Sequence, residues 1–244
     1  VHEEKPYGWD LHDAATGEII CSSTGATDNG RGIAADIIKK HRGWEFASSN
    51  DRSLRGADNS VVSTSIPTLN FRCYWDGTLQ DALLDGDVID KWNGSSMARI
   101  FNLNEYGNST SCNSTKKTPN LQADLLGDWR EEIILWDSSD GCTLNIFTTN
   151  IPTIYRIPTL MHNHTYRIAV AWQNAAYNQP PHVSYYMPDY AEYLKQQTTG
   201  IVDVEESGMD DDGHIYNLMG IRVSNPCKGI YIKDGKKIII SKCP

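Results

Sequence analysis

The chain has 244 residues, long enough for one large domain or two smaller ones with a substantial core. It carries 31 acidic against 22 basic side chains, and the formal charge of −9 argues against a general nucleic-acid binder, which needs a basic excess to neutralise phosphate. No apolar run reaches the length that crosses a bilayer, so membrane insertion is not expected.

The opening residues Val1-His2-Glu3-Glu4-Lys5 do not read as a signal peptide, and the expectation is a fragment whose N-terminal portion is missing. Short apolar or alternating runs then recur at 17–21, 33–37, 71–75, 132–136 and 144–148, each followed by turn residues. That is the pattern of an all-β domain. Helical periodicity is scarce; the spacing predicts short helices only at 78–84 and 190–197. The run 166–172 reads as a strand ending in a polar loop.

A weak internal repeat favours stacked equivalent units. Ala34-Ala35-Asp36-Ile37 leads to Gly43-Trp44-Glu45, and Gln122-Ala123-Asp124-Leu125 leads to Gly127-Asp128-Trp129-Arg130-Glu131-Glu132. Composition shifts near residue 198 to an acidic, glycine-containing stretch. The expected organisation is a main β domain over 1–197, a linker over 198–213 and a small β module over 214–244, with a hairpin turn at Asp234-Gly235. Six cysteines (Cys21, Cys73, Cys112, Cys142, Cys227, Cys243) form no CxxC pair; they permit disulfides in an oxidising compartment without selecting a pairing.

Three segments carry chemistry. Asp124, Asp128 and Glu132 place carboxylates on one turn, with the carbonyls of Leu126 and Arg130 between them. Calcium takes oxygens of both kinds, so this turn is the candidate metal site; capping aspartates are the plain alternative. The loop Asn113-Ser114-Thr115-Lys116 offers amide and hydroxyl groups for a sugar and a lysine as cation or base. Asn174, Tyr177, Asn178 and His182 lie in a loop dense in amides and aromatics, the usual chemistry of saccharide sites.

Taken in order, Gly30-Arg31-Gly32, Trp75-Asp76-Gly77, Asp128-Trp129-Arg130-Glu131-Glu132, Thr159-Leu160-Met161-His162 and the stretch from Ala171 to His182 resemble the C-terminal half of the family 11 polysaccharide lyases, the rhamnogalacturonan lyases. The resemblance covers roughly residues 1–190. It implies about four blades of an eight-bladed, calcium-binding β-propeller, and an enzyme that cuts the rhamnosyl–galacturonate bond of pectin by β-elimination. It also implies Arg31 as partner of the uronate carboxylate, Lys116 as base and Tyr177 as proton donor, with Asn113, Ser114 and Thr115 holding the sugar. Ser114 stands where the family has glycine, a change that matters if the loop needs a positive φ there.

About four blades cannot close a ring, so the expected partner beyond the polysaccharide is either the missing half of the propeller or a second copy. The alternative function is a non-catalytic, calcium-stabilised saccharide-binding fragment. The tail, with Ile215-Tyr216-Asn217-Leu218 and Gly229-Ile230-Tyr231-Ile232, resembles bacterial C-terminal sorting modules, which implies a secreted, extracellular or periplasmic bacterial protein.

Overall fold

The computed structural model describes residues 7–173, 175, 179–198, 214–217, 221–233 and 236–240. Two compact units emerge, Val1–Lys195 and Gln196–Pro244. The class is all-β, as the runs of strand length predict.

The first unit opens with a two-stranded hairpin, β1 (Trp9–His12) and β2 (Ile19–Ser23). Two antiparallel four-stranded meanders follow. The first sheet is β3 (Gly32–Ala35), β4 (Glu45–Ser48), β5 (Asp51–Gly56) and β6 (Val61–Ser63). The second is β7 (Phe71–Cys73), β8 (Ala82–Leu84), β9 (Val88–Trp92) and β10 (Met97–Asn102).

A third sheet is built around β13 (Glu132–Asp137). Its strands β11 (Ser109–Thr110) and β12 (Leu121–Ala123) follow one another along one edge, and β14 (Leu144–Phe147) pairs with the other. None of these sheets closes on itself among the described residues. Two helices, α1 (His164–Trp172) and α2 (Met187–Thr198), come last. In the second unit β15 (Ile215–Tyr216), β16 (Gly229–Lys233) and β17 (Lys236–Ile240) form a three-stranded sheet. Lys233 faces Lys236, the register of a hairpin with two residues between; of the linker expected at 198–213, Thr198 ends α2, and 199–213 with the Asp234-Gly235 pair lie outside the described residues.

Two sequence expectations need correction. Residues 78–84 are not a helix: they form a turn and then β8. Leu83 packs towards the first sheet with Ile33, Ala35, Ala47 and Leu54, while Ala82 and Leu84 pack towards the third with Ile133 and Leu135. A strand buried on both faces shows no polar alternation, so its apolar run imitates a helix. Residues 166–172 are not a strand but most of α1, capped by Asn163, whose Oδ1 accepts from the Tyr166 amide at 3.0 Å. The helix expected at 190–197 is present within α2.

The repeat read from the sequence is structural. Ala35 pairs with Glu45 and Ala123 with Glu132, so each motif is the end of one strand beside the start of the next. Each buried glutamate accepts two backbone amides of its own turn: Ile37 and Ile38 for Glu45, Leu125 and Leu126 for Glu132.

A second device joins consecutive sheets. Asp36 N–H donates to the Asp81 carboxylate at 2.9 Å while Asp81 N–H donates to the Asp36 carbonyl at 2.7 Å. Tyr74 and Glu131 repeat the clasp between the second and third sheets at 2.8 and 2.9 Å. At the third equivalent position Asp124 N–H meets the Tyr166 hydroxyl instead, which in turn donates to Glu131 at 2.7 Å. Inside, charge-assisted hydrogen bonds of this kind offset the desolvation of the carboxylates that accept them.

Candidate functional site

Arg31 stands immediately before β3, where Gly30 turns the chain at φ +38° with its amide on Asp28. Its carbonyl accepts from Ser49 N–H at 2.9 Å, which fixes the backbone against the end of β4. The guanidinium then reaches the third sheet: one terminal nitrogen donates to the Thr115 carbonyl at 2.6 Å and to its hydroxyl at 3.1 Å.

Thr115 belongs to the loop between β11 and β12. Cys112 and Thr118 close its neck through two backbone hydrogen bonds of 2.7 and 3.0 Å. Within it Asn113 and Ser114 have φ of +60° and +47°, residues Ser114–Lys116 make one 3-10 turn, and Lys117 returns at φ +50°. Asn113, Ser114 and Thr115 are exposed at the apex. Lys117 Nζ meets the Asp85 carboxylate at 3.2 Å, and Asn70 Nδ2 donates to the same carboxylate at 2.6 Å. Arg31, Ser49, Thr68, Asn70 and Asp85 line one open hollow of about 290 Å³. Arg31 and the Asn113–Lys116 loop, far apart in the chain, therefore share one place.

Tyr177, Asn174 and Asn178 lie outside the described residues. The residues on either side of them are anchored. Gln173 offers its amide to the edge of β12 as a neighbouring strand would: Oε1 accepts from Gln122 N–H at 2.8 Å and Nε2 donates to the Gln122 carbonyl. Arg72, in β7, donates to the Pro181 carbonyl at 2.7 Å and pairs with Asp81 and Glu131. Glu131 is raised above the usual carboxylate range by burial, against the opposing pull of Arg72, the Tyr74 amide and the Tyr166 hydroxyl.

The sequence reading missed Arg72, Gln122, Gln173 and Asp85. One signal was available: an arginine inside the apolar run Phe71-Arg72-Cys73 must be paired once that run is buried.

His182 sits elsewhere. Its ring lies against Trp44, centroids 5.0 Å apart, next to Glu45 and so at the opposite end of β3 from Arg31. Burial and the Arg72 charge push its pKa down to about 3, so this imidazole is neutral. The sequence reads His182 as a sugar-binding residue; the structure sets its ring against Trp44, apart from the Arg31–Thr115 contact.

The expected calcium turn is filled from within the polypeptide. Asp124 accepts from the amides of Gly127, Trp129 and Leu160 and from the Thr159 hydroxyl. Glu132 accepts from Leu125, Leu126 and Thr148, and Asp128 pairs with the Arg130 guanidinium. Calcium needs several oxygen lone pairs converging on one point. Here those lone pairs point at N–H and O–H groups and a cation already neutralises Asp128, so the turn as folded does not fit the ion.

Asp36, the counterpart of Asp124, has no backbone amide on its buried carboxylate; the Gln80 and Tyr186 side chains beside it pull its pKa down without offsetting burial. Burial, then the neighbouring Asp81 and Glu45 carboxylates, raise it to about 7. All five described cysteines are free thiols.

Comparison with known proteins identifies the family. Residues 1–197 match the family model described as the C-terminal domain of rhamnogalacturonan lyase family 11. The chain is 45% identical over 195 residues to the rhamnogalacturonan endolyase YesW of Bacillus subtilis (strain 168), covering 78% of this chain and 30% of that protein. It is 42% identical over 207 residues to the exolyase YesX of the same organism, covering 77% and 33%. Among solved structures, a Bacillus licheniformis rhamnogalacturonan lyase superposes with a TM-score of 0.70 at 41% identity, covering 76% of this chain and 32% of that one. The chain thus spans about a third of the length of the relatives it matches.

Proposed function

The chain belongs to the family 11 rhamnogalacturonan lyases, whose C-terminal domain it matches, and from that premise we propose that it carries catalytic residues of a lyase acting on the rhamnosyl–galacturonate bond of rhamnogalacturonan. In such a reaction a base takes the proton from C5 of the galacturonate, the C4–O bond breaks, a C4–C5 double bond forms, and the departing oxygen is protonated.

Negative charge grows on the uronate as the proton leaves, so a fixed cation at its carboxylate lowers the barrier. Arg31 is suited to that part: a guanidinium keeps its charge and presents a planar fork to carboxylate. Lys116 is the proposed base, and Tyr177 the proposed donor to the leaving oxygen. Asn113, Ser114 and Thr115, exposed at the loop apex, would bind sugar hydroxyls.

The observation that carries this reading is the pair of hydrogen bonds from Arg31 to Thr115, which sets the proposed carboxylate partner beside the residue preceding the proposed base. The test is the appearance of the unsaturated uronate, followed by its ultraviolet absorbance, when rhamnogalacturonan is added to the natural polypeptide that contains this chain. Lys116→Ala should abolish the product. Saccharide binding without product from the unsubstituted protein would favour a binding module instead.

The same premise supports a larger architecture. The repeated clasps of Asp36 with Asp81 and of Tyr74 with Glu131 are those expected between successive blades of a propeller, which further polypeptide or a second copy would complete. Export is proposed as well, because a polymer substrate of plant cell walls is met outside the cell.

A further inference from the structure

We propose that Asp85 is the positioning residue of the Lys116 loop and acts on it through Lys117; the inference rests on the reading of Lys116 as the base.

The loop is a conformation that side chains resist. Asn113, Ser114 and Lys117, three of the five residues from 113 to 117, have φ in the left-handed region, and none is glycine. Such backbone persists only where its surroundings over-determine it. The Cys112–Thr118 bridge fixes the neck and Arg31 holds the apex, but neither sets the return at Lys117, the residue bonded to Lys116.

That return is set from the second sheet. The turn between β8 and β9 presents Asp85, whose amide donates to the Val88 carbonyl at 2.9 Å. The next residue, Gly86, has φ +76°, and a Cβ placed on it would come within 3.1 Å of Lys117 Cδ. The Lys117 stem therefore lies across a bare glycine and brings Nζ to within 3.2 Å of Asp85 Oδ2. Asn70 holds the other oxygen at 2.6 Å, so the carboxylate is aimed before the lysine arrives. The three groups come from three separate stretches of chain, which is what allows them to fix one point in space. Asp85 also lines the hollow beside Arg31, where a bare carboxylate would repel a uronate; pairing with Lys117 cancels that charge.

The test uses the natural polypeptide with Asp85→Asn, Lys117→Met, the double substitution and Lys117→Arg. Initial rates on rhamnogalacturonan are measured against substrate concentration, and amide hydrogen exchange is followed over 112–118. Asp85→Asn and Lys117→Met should each lower kcat about tenfold with KM within about twofold, and the double variant should be no worse than either. Lys117→Arg, which keeps the ion pair, should stay within about threefold of the parent. Exchange over 112–118 should quicken about tenfold in the first three variants and stay unchanged elsewhere.

Equal loss in Lys117→Arg, multiplying losses in the double variant, or unchanged local exchange would overturn the inference. A parent that forms no unsaturated product would instead sink the lyase reading, and local exchange would then decide the positioning claim alone.

Discussion

The Arg31 guanidinium grips Thr115 by both its carbonyl and its hydroxyl, 84 residues further along the chain, and so ties the start of the first sheet to the loop that carries Lys116. A lysine at this position could supply charge but not a planar fork that holds Thr115 and still presents donors to a carboxylate. Arg31→Lys should therefore lower kcat/KM for rhamnogalacturonan by a factor of about ten or more, measured from initial rates.

Ser114 occupies a left-handed backbone at φ +47°, where the family pattern has glycine. Removing the Cβ relieves that strain. Ser114→Gly should raise stability by about 1 kcal/mol, read as an upward shift of the urea midpoint with unchanged slope. A drop in stability would mean that the serine hydroxyl does more for the loop than its backbone costs.

Tyr166, on α1, is buried against the turn between β12 and β13: it accepts from Asp124 N–H and donates to Glu131. Tyr166→Phe strands both groups out of water, at a cost of about 2–3 kcal/mol by denaturant unfolding. It also removes one of the bonds that favours the ionised carboxylate, so Glu131 should titrate higher still.

Asp36 and His182 give opposite pH dependences. Asp36 is raised to about 7 when folded, against the ordinary 3.8, so the folded chain holds a proton that the unfolded chain has lost. Its contribution is complete below about pH 4 and disappears as pH rises through 7. His182 is lowered to about 3 from 6.5, so its contribution is present above about 6.5 and is lost as pH falls towards 3. Asp36→Asn removes only the first. Thermal melts at pH 5 and pH 8 should show the variant gaining on the parent as pH rises; a constant difference would contradict the burial assigned to Asp36.

Much of this could be read from the residues alone, and the omissions share a cause. The all-β class followed from short runs punctuated by turns, and the Ala-Asp and Glu pairs marked equivalent strand ends in two sheets. The 78–84 and 166–172 segments were misread because a doubly buried strand and a short capped helix both depart from clean periodicity. Spacing of acids could not tell whether Asp124 would meet a cation or the amides of Gly127, Trp129 and Leu160; that depends on where Thr159 and Leu160 fold back. Asp85 and Gln173 were invisible for the same reason, since each works on a residue distant in the chain.

The most direct trial of the account is product formation by the natural polypeptide carrying Lys116→Ala, with Arg31 and the rest of the loop intact. The account predicts that rhamnogalacturonan is still bound, the fold still melts within a few degrees of the parent, and the ultraviolet signal of the unsaturated uronate is absent. A variant that releases this product at the parental rate would contradict it and remove Lys116 from the chemistry.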